Sequence, residues 1–194
     1  MVMNGTISFW IDSEEKFVAC NGEVKVTVGT ILFQNGRVIT PTGISHGDVM
    51  IENRLIKHIY LDEQCMEDAD IVIDLQNQYL SPGFIDIHTH GAGGADFMDQ
   101  TAESMYHACY THMKHGTTSI VPTTLTSTRE SLKEFLEFFD TIELEKEGMP
   151  NILGLHLEGP YFAESQKGAQ DPKYLRNPDP SEYGEALLGS NRIL

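Results

Sequence analysis

Two histidines one residue apart, His88 and His90, close the apolar run "FIDIHTH" and stand before the glycine-rich "GAGGAD". In an extended strand, residues two apart share a face. Asp86, His88 and His90 therefore lie on one side, and Ile85, Ile87 and Thr89 on the other. A second run, "NILGLHLEGP", has the same texture. There Ile152, Gly154, His156 and Glu158 share a face, and Glu158 comes last, before Gly159-Pro160. Two imidazoles and a carboxylate are a ligand set for Zn²⁺ or another divalent transition metal, with a position left for water. Water on such an ion has its pKa lowered to roughly 7, which makes hydroxide available at neutral pH. The same side chains also suit a plainer role, as hydrogen-bonding groups at the ends of core strands. Whether the two strand ends meet separates these readings.

The segments that must position them alternate between strand and helix. Phe84 to His90 is the first strand, followed by a helix in "TAESMYHACYTHMKHG" with Thr101 as N-cap and Gly116 as C-terminal stop. Met105, Ala108, Cys109, His112 and Met113 recur at helical spacing and give that helix one buried face. "TTSIVPTT" is the second strand. "STRESLKEFLEFFDTIELEKEG" is the second helix, opened by a capping box from Ser127 to Glu130 and burying Leu132, Phe135, Leu136 and Phe139. "NILGLHLEGP" is the third strand, the tail holds one further helix, and "NRIL" begins a fourth strand. This alternation builds a parallel sheet with helices outside it, by right-handed crossovers. Sites assemble at the C-terminal strand ends of such sheets, which brings His88, His90 and Glu158 to one mouth.

The remaining polar residues have quieter roles. His156 lies deeper than Glu158 and is structural, or supports Glu158 from behind. Asp86 is a hydrogen-bonding residue of the same kind, and His107, His112 and His115 are surface or packing residues of the first helix. The glycines after His90 lack the GxGxxG spacing of a dinucleotide site. They suit a tight turn, or a backbone running close to a ligand. Lys167 in "QKGAQDP" is a solvated loop lysine or an anion contact, with Gly168 and Pro172 shaping the loop.

Residues 1–80 read as a small, mostly antiparallel β domain of short strands, with hairpin turns at Asn21-Gly22 and Asn35-Gly36. Residues 81–194 form the α/β part. The chain has 194 residues, 40% hydrophobic and 22% charged, the balance of an ordinary globular protein. Its formal charge of −16 argues against a nucleic-acid partner, which wants clustered Lys and Arg. Cys20, Cys65 and Cys109 are unpaired in spacing and fit reduced thiols. No apolar stretch approaches membrane-spanning length, and the N-terminus lacks the pattern of a secretory signal. The expectation is a cytoplasmic protein with no membrane partner.

"NGRVITPTG", "LSPGFIDIHTHGAGGADF", "HGTTSIVPTT" and "GLHLEGPYF" with "KGAQDPKYLR" together resemble the amidohydrolase superfamily, from about Ile31 onward. "HLEGPYF" followed by "KGA" narrows this to the N-acetylglucosamine-6-phosphate deacetylase family. The resemblance implies an α/β fold: a metal-dependent (β/α)8 barrel with a small N-terminal β-sandwich domain. It implies one or two divalent ions, Zn or Fe. Glu158 holds one together with two histidines from later strands, and His88 and His90 hold a second. It further implies a small-molecule sugar phosphate as substrate, N-acetylglucosamine 6-phosphate, cleaved to glucosamine 6-phosphate and acetate, and a homodimer. Ala169 and Gln170 occupy positions where that family commonly has a small residue and then a sugar-contacting histidine. Glutamine hydrogen-bonds but carries no charge. The general-base aspartate would lie beyond Leu194, because a complete barrel takes about 250 residues and this chain holds its first three to four strands. Taken alone, such a half-barrel is expected neither to close nor to complete its active site. Another amidohydrolase, a cyclic amidase or deaminase, is the alternative enzyme; a non-catalytic fragment is the alternative of another class.

Overall fold

The computed structural model describes residues 10–13, 16–19, 29–53, 55–146 and 148–194. Strands β1 (Trp10–Ser13) and β2 (Lys16–Ala19) form an antiparallel pair. The expected Asn21-Gly22 turn lies outside the described residues. The chain divides into two compact units: the described residues up to Phe84 with Met113–Thr118, and Ile85–His112 with Ser119–Leu194.

In the first unit, β3 (Thr30–Thr40), β4 (Gly43–Glu52), β5 (Leu55–Leu61), β6 (Ile71–Asp74) and β7 (Tyr79–Leu80) make one five-stranded sheet. β3, β4 and β5 run antiparallel, while β6 and β7 pair in parallel with β3. Alternation sorts its apolar side chains onto two faces. Phe33, Val38, Val49, Ile51, Leu75 and Leu80 pack on one, and Leu32, Met50 and Cys65 on the other. Asn35-Gly36 is not a hairpin turn, contrary to expectation. β3 runs straight through it with a bulge, because Phe33 and Gly36 both pair with β4, opposite Val49 and Gly47. Asn35 takes a left-handed φ of 57° there. Its N–H donates to buried Asp48 Oδ1 at 2.9 Å and its amide to Asp74 Oδ1 at 3.0 Å. The true turn is Pro41-Thr42, between Thr40 and Gly43.

The α/β part opens with β8 (Phe84–Thr89) and a tight hairpin, β9 (Gly91–Ala92) with β10 (Ala95–Asp96). Gly93 and Gly94 make its two-residue turn with φ of 66° and 85°, which is why side-chain-free residues sit there. α1 (Ala102–Met113) follows, Thr101 Oγ1 accepting from Ser104 N at 3.1 Å as an N-cap should. β11 (Thr117–Pro122), α2 (Arg129–Phe139), β12 (Asn151–Ile152) and α3 (Pro180–Gly189) complete the order. The sheet order is β12-β11-β8. β11 and β12 pair in parallel. The β8–β11 bonds climb from Phe84 N with Gly116 O to Thr123 N with Thr89 O, so these strands are parallel too. Beyond β12, Thr123 bridges His156 and Leu155 bridges Ile193, the latter in the "NRIL" segment.

α2 begins one residue later than its sequence suggests. Thr128, not Ser127, caps it by accepting from Ser131 N at 3.1 Å. Ser127 is held outside the helix, its carbonyl accepting from Arg176 at 2.9 Å and its hydroxyl donating to Thr128 O. Leu132, Phe135, Leu136 and Phe139 pack with Met105, Ala108, Cys109, Ile120, Ile152 and Leu155 into a single core under the sheet. Burial pushes the Cys109 thiol up to about 12, so it stays an inert packing group.

Candidate metal centre

β8 delivers His88, the residue just past its end is His90, and the segment after β12, bridged to Thr123 at His156, delivers Glu158. The three meet. His88 Nε2 lies 3.1 Å and His90 Nε2 3.0 Å from the same carboxylate oxygen, Glu158 Oε2. Their ligand atoms all fall within 4.8 Å of one another, and among the described residues no second carboxylate joins them. Glu158 is the least exposed of the three at 22% of its side chain, against 47% for His88 and 35% for His90.

The supporting bonds decide what this cluster can hold. His90 Nδ1 stands 3.2 Å from Thr123 O, and a carbonyl only accepts, so Nδ1 carries the proton. In the neutral ring Nε2 is then a bare lone pair aimed at a carboxylate oxygen 3.0 Å away. Two electron pairs so placed repel unless positive charge lies between or on them. A divalent cation meets that need with donors it prefers. Ligands about 2.1 Å from a zinc ion and a tetrahedral angle apart lie roughly 3.4 Å from each other. The residues therefore fit a metal ion.

Further bonds fix the frame. Glu158 N donates to Thr124 Oγ1 at 3.0 Å, locking the ligand's backbone to the end of β11. Thr89 N donates to buried Thr123 Oγ1 at 3.2 Å. Asp86 Oδ1 accepts from His88 N at 3.1 Å, and its other oxygen is 3.7 Å from His112 Nδ1. His112 Nε2 reaches Thr89 Oγ1 at 3.1 Å and Gly91 O at 3.3 Å. So His112 faces the strand from α1, as its place on the buried stripe suggests. His156 packs its ring against His88. Thr123 and Thr124 escaped the sequence analysis. Their signal was position: they follow Pro122, level with His90 and Glu158 at the same end of the sheet.

The loop after Glu158 is pinned close. At Gly159 φ is 82°, and a Cβ there would sit 2.5 Å from Thr126 Cγ2, so only glycine passes. Gln170 is buried, and its Oε1 accepts from both Thr126 N and Thr126 Oγ1 at 2.9 Å. Ala169 beside it is exposed. Lys167 Nζ donates to Gln170 O at 3.2 Å. Arg176 clasps the carboxylate of Glu182, Nε lying 2.9 Å from Oε2, and holds that acid below the usual carboxylate range.

Residues 79–186 match the model of the amidohydrolase family. Over 133 residues the chain is 35% identical to the N-acetylglucosamine-6-phosphate deacetylase of Haemophilus influenzae, covering 68% of this chain and 34% of that protein. Among solved structures it resembles the N-acetylglucosamine-6-phosphate deacetylase of Pasteurella multocida, with a TM-score of 0.69, 28% identity, and 84% and 43% of the two chains covered. It also resembles a mutant of the Mycobacterium smegmatis deacetylase in complex with N-acetyl-D-glucosamine-6-phosphate, with a TM-score of 0.65, 26% identity, and 82% and 40% covered. The chain spans between 34% and 42% of the length of the first curated relatives it matches. No helix among the described residues is long and apolar enough to cross a membrane.

Proposed function

This chain belongs to the amidohydrolase family, and from that membership we propose that the protein removes the N-acetyl group from N-acetylglucosamine 6-phosphate, releasing glucosamine 6-phosphate and acetate. The observation that carries this is the convergence of His88 Nε2 and His90 Nε2 on Glu158 Oε2 at 3.1 and 3.0 Å. These three residues would hold one or two divalent ions. A zinc or iron ion in that donor set supplies Lewis-acid polarisation of the acetamide carbonyl and a water made acidic near neutral pH.

The chain's own residues prepare the site. The Thr123 carbonyl keeps the proton of His90 on Nδ1, which leaves Nε2 free as a ligand. The Thr124 hydroxyl fixes the backbone of Glu158. In the "KGAQ" loop, Gln170 has its carbonyl oxygen taken up by Thr126, so its amide NH₂ is the part left to address a sugar, with exposed Ala169 beside it. The charge of −16 repels a sugar phosphate at long range, so its phosphate needs donors close by.

On this reading residues 1–80 belong to a small β-sandwich domain and residues 81–194 to the first strands of a (β/α)8 barrel. The general base comes from elsewhere in the barrel. Buried, free Cys65 and Cys109 suit a reducing cytoplasm, and the reading takes the protein as a homodimer there.

Titrating the chain with Co²⁺ or Zn²⁺ tests the site. Glu158→Ala is expected to weaken binding at least 100-fold with the fold retained by circular dichroism; unchanged affinity ends the assignment. The substrate is tested by assaying the protein on N-acetylglucosamine 6-phosphate, its unphosphorylated sugar and a cyclic amide. Preference for the cyclic amide overturns the deacetylase reading and leaves the metal site standing.

A further inference from the structure

We propose that His156 is a positioning residue of the metal centre, holding the His88 ring in place from behind; this rests on the metal site proposed above. The two histidines, His88 in β8 and His90 just past it, are supported differently. His90 is tied through Nδ1 to the Thr123 carbonyl. The ring of His88, half exposed, is hydrogen-bonded only to Glu158 among the described residues. An imidazole held at one nitrogen can swivel about its Cβ bond, and a ligand that swivels must be ordered again each time an ion binds.

Packing supplies the missing constraint. The His88 ring stands between two others, nearly perpendicular to both: His90 at 5.3 Å between centroids and 83°, and His156 at 4.9 Å and 84°. These are favourable edge-to-face arrangements. His156 makes a firm wall because its backbone is bonded on both sides. Its N–H donates to Pro122 O at 3.0 Å, and its carbonyl accepts from Thr124 N at 3.0 Å.

His156 Nδ1 is also the one buried side-chain polar atom without a hydrogen-bond partner among the described residues. Burying it unpaired is unfavourable, so Nδ1 adds nothing to holding His88, and an apolar ring at this position should serve as well or better. The ring contact does the positioning, and His156 is not among the residues whose ligand atoms converge, which are His88, His90 and Glu158.

Co²⁺ binding to the full chain, read by the intensity of its visible ligand-field bands and by titration, tests this. His156→Ala is expected to weaken binding about 10- to 100-fold, as loss of ligand-orienting groups does, and to dim the bands while circular dichroism stays unchanged. His156→Phe, which restores a ring and removes the orphan nitrogen, is expected to bind within threefold of the parent chain and to melt at a higher temperature. Parent-like binding by His156→Ala overturns the proposal, as does a tenfold or greater loss in His156→Phe. Should His156→Ala unfold, His156→Leu takes its place: weakened binding there beside a retained Phe variant supports the role, and equal binding by both overturns it. If the parent chain binds no Co²⁺, the metal site itself has failed. If Glu158→Ala abolishes binding and His156→Ala does not, only the positioning role has.

Discussion

Strand β11 is buried from Thr117 to Pro122 except at Ser119, whereas its neighbour β8 has no buried residue along its length. Yet β8 and the residue just past its end carry both candidate histidine ligands, and β11 carries none. What β11 contributes lies just past its end, where Thr123 takes His90 Nδ1 on its carbonyl and Thr89 N on its hydroxyl. A ligand must reach an ion and its substrate, so it cannot be sealed in a core. Its precision has to be borrowed from a neighbour that is. The pair of strands divides these tasks, and substitutions on each separate them.

The largest effect is expected at Ile120, fully buried among Phe135, Phe139 and Leu155. Ile120→Ala should cost about 2–5 kcal/mol in urea unfolding, the range for emptying a core site. A loss below about 1 kcal/mol would mean that β11 is not the scaffold. Next is Thr123→Val, which keeps the shape and leaves Thr89 N–H without its partner. About 1–3 kcal/mol of stability should be lost, with weaker metal binding through a loosened His90; unchanged values on both measures would free β8 from dependence on β11.

Acid should act on the loop after Glu158 before it acts on β11. Arg176 lowers the carboxyl of Glu182 from its ordinary 4.5, so this pair stabilises the native state above that value. The contribution disappears as pH falls through the lower native value. Amide exchange around Arg176 and α3 should accelerate in that window while β11 stays protected. Simultaneous loss of both would contradict the division. The smallest effect belongs to Ile87, 69% exposed. Ile87→Ala should stay within about 0.5 kcal/mol, and with Ile120→Ala it makes the same substitution on adjacent strands a direct measure of the contrast.

Much of this was legible along the chain, wherever the cause is local. Period-two alternation put His88 with His90, helical spacing gave α2 its buried stripe of Leu132, Phe135, Leu136 and Phe139, and Thr101 read correctly as a cap. Local rules misled where a distant partner outweighed them. Asn35-Gly36 has hairpin composition, but β4 pairs with residues on both sides of it, and Asp48 and Asp74 hold Asn35 in the bulge. Ser127 has capping chemistry, but Arg176 occupies its carbonyl.

The sequence by itself determined which residues share a strand face and which chemistry they offer, because side-chain direction in a strand follows from backbone geometry alone. It placed His88 beside His90, but the third strand it suggested up to Glu158 is, in the structure, the two-residue β12, followed by isolated bridges at Leu155 and His156. That Glu158 then meets them was decided by tertiary structure. The two strands lie either side of β11, seventy positions apart in sequence, and their parallel register is set by the Thr123 and Thr124 bonds and the core of α1 and α2 beneath. A one-residue slip in that register would turn Glu158 to the opposite face and leave the two histidines without their third ligand.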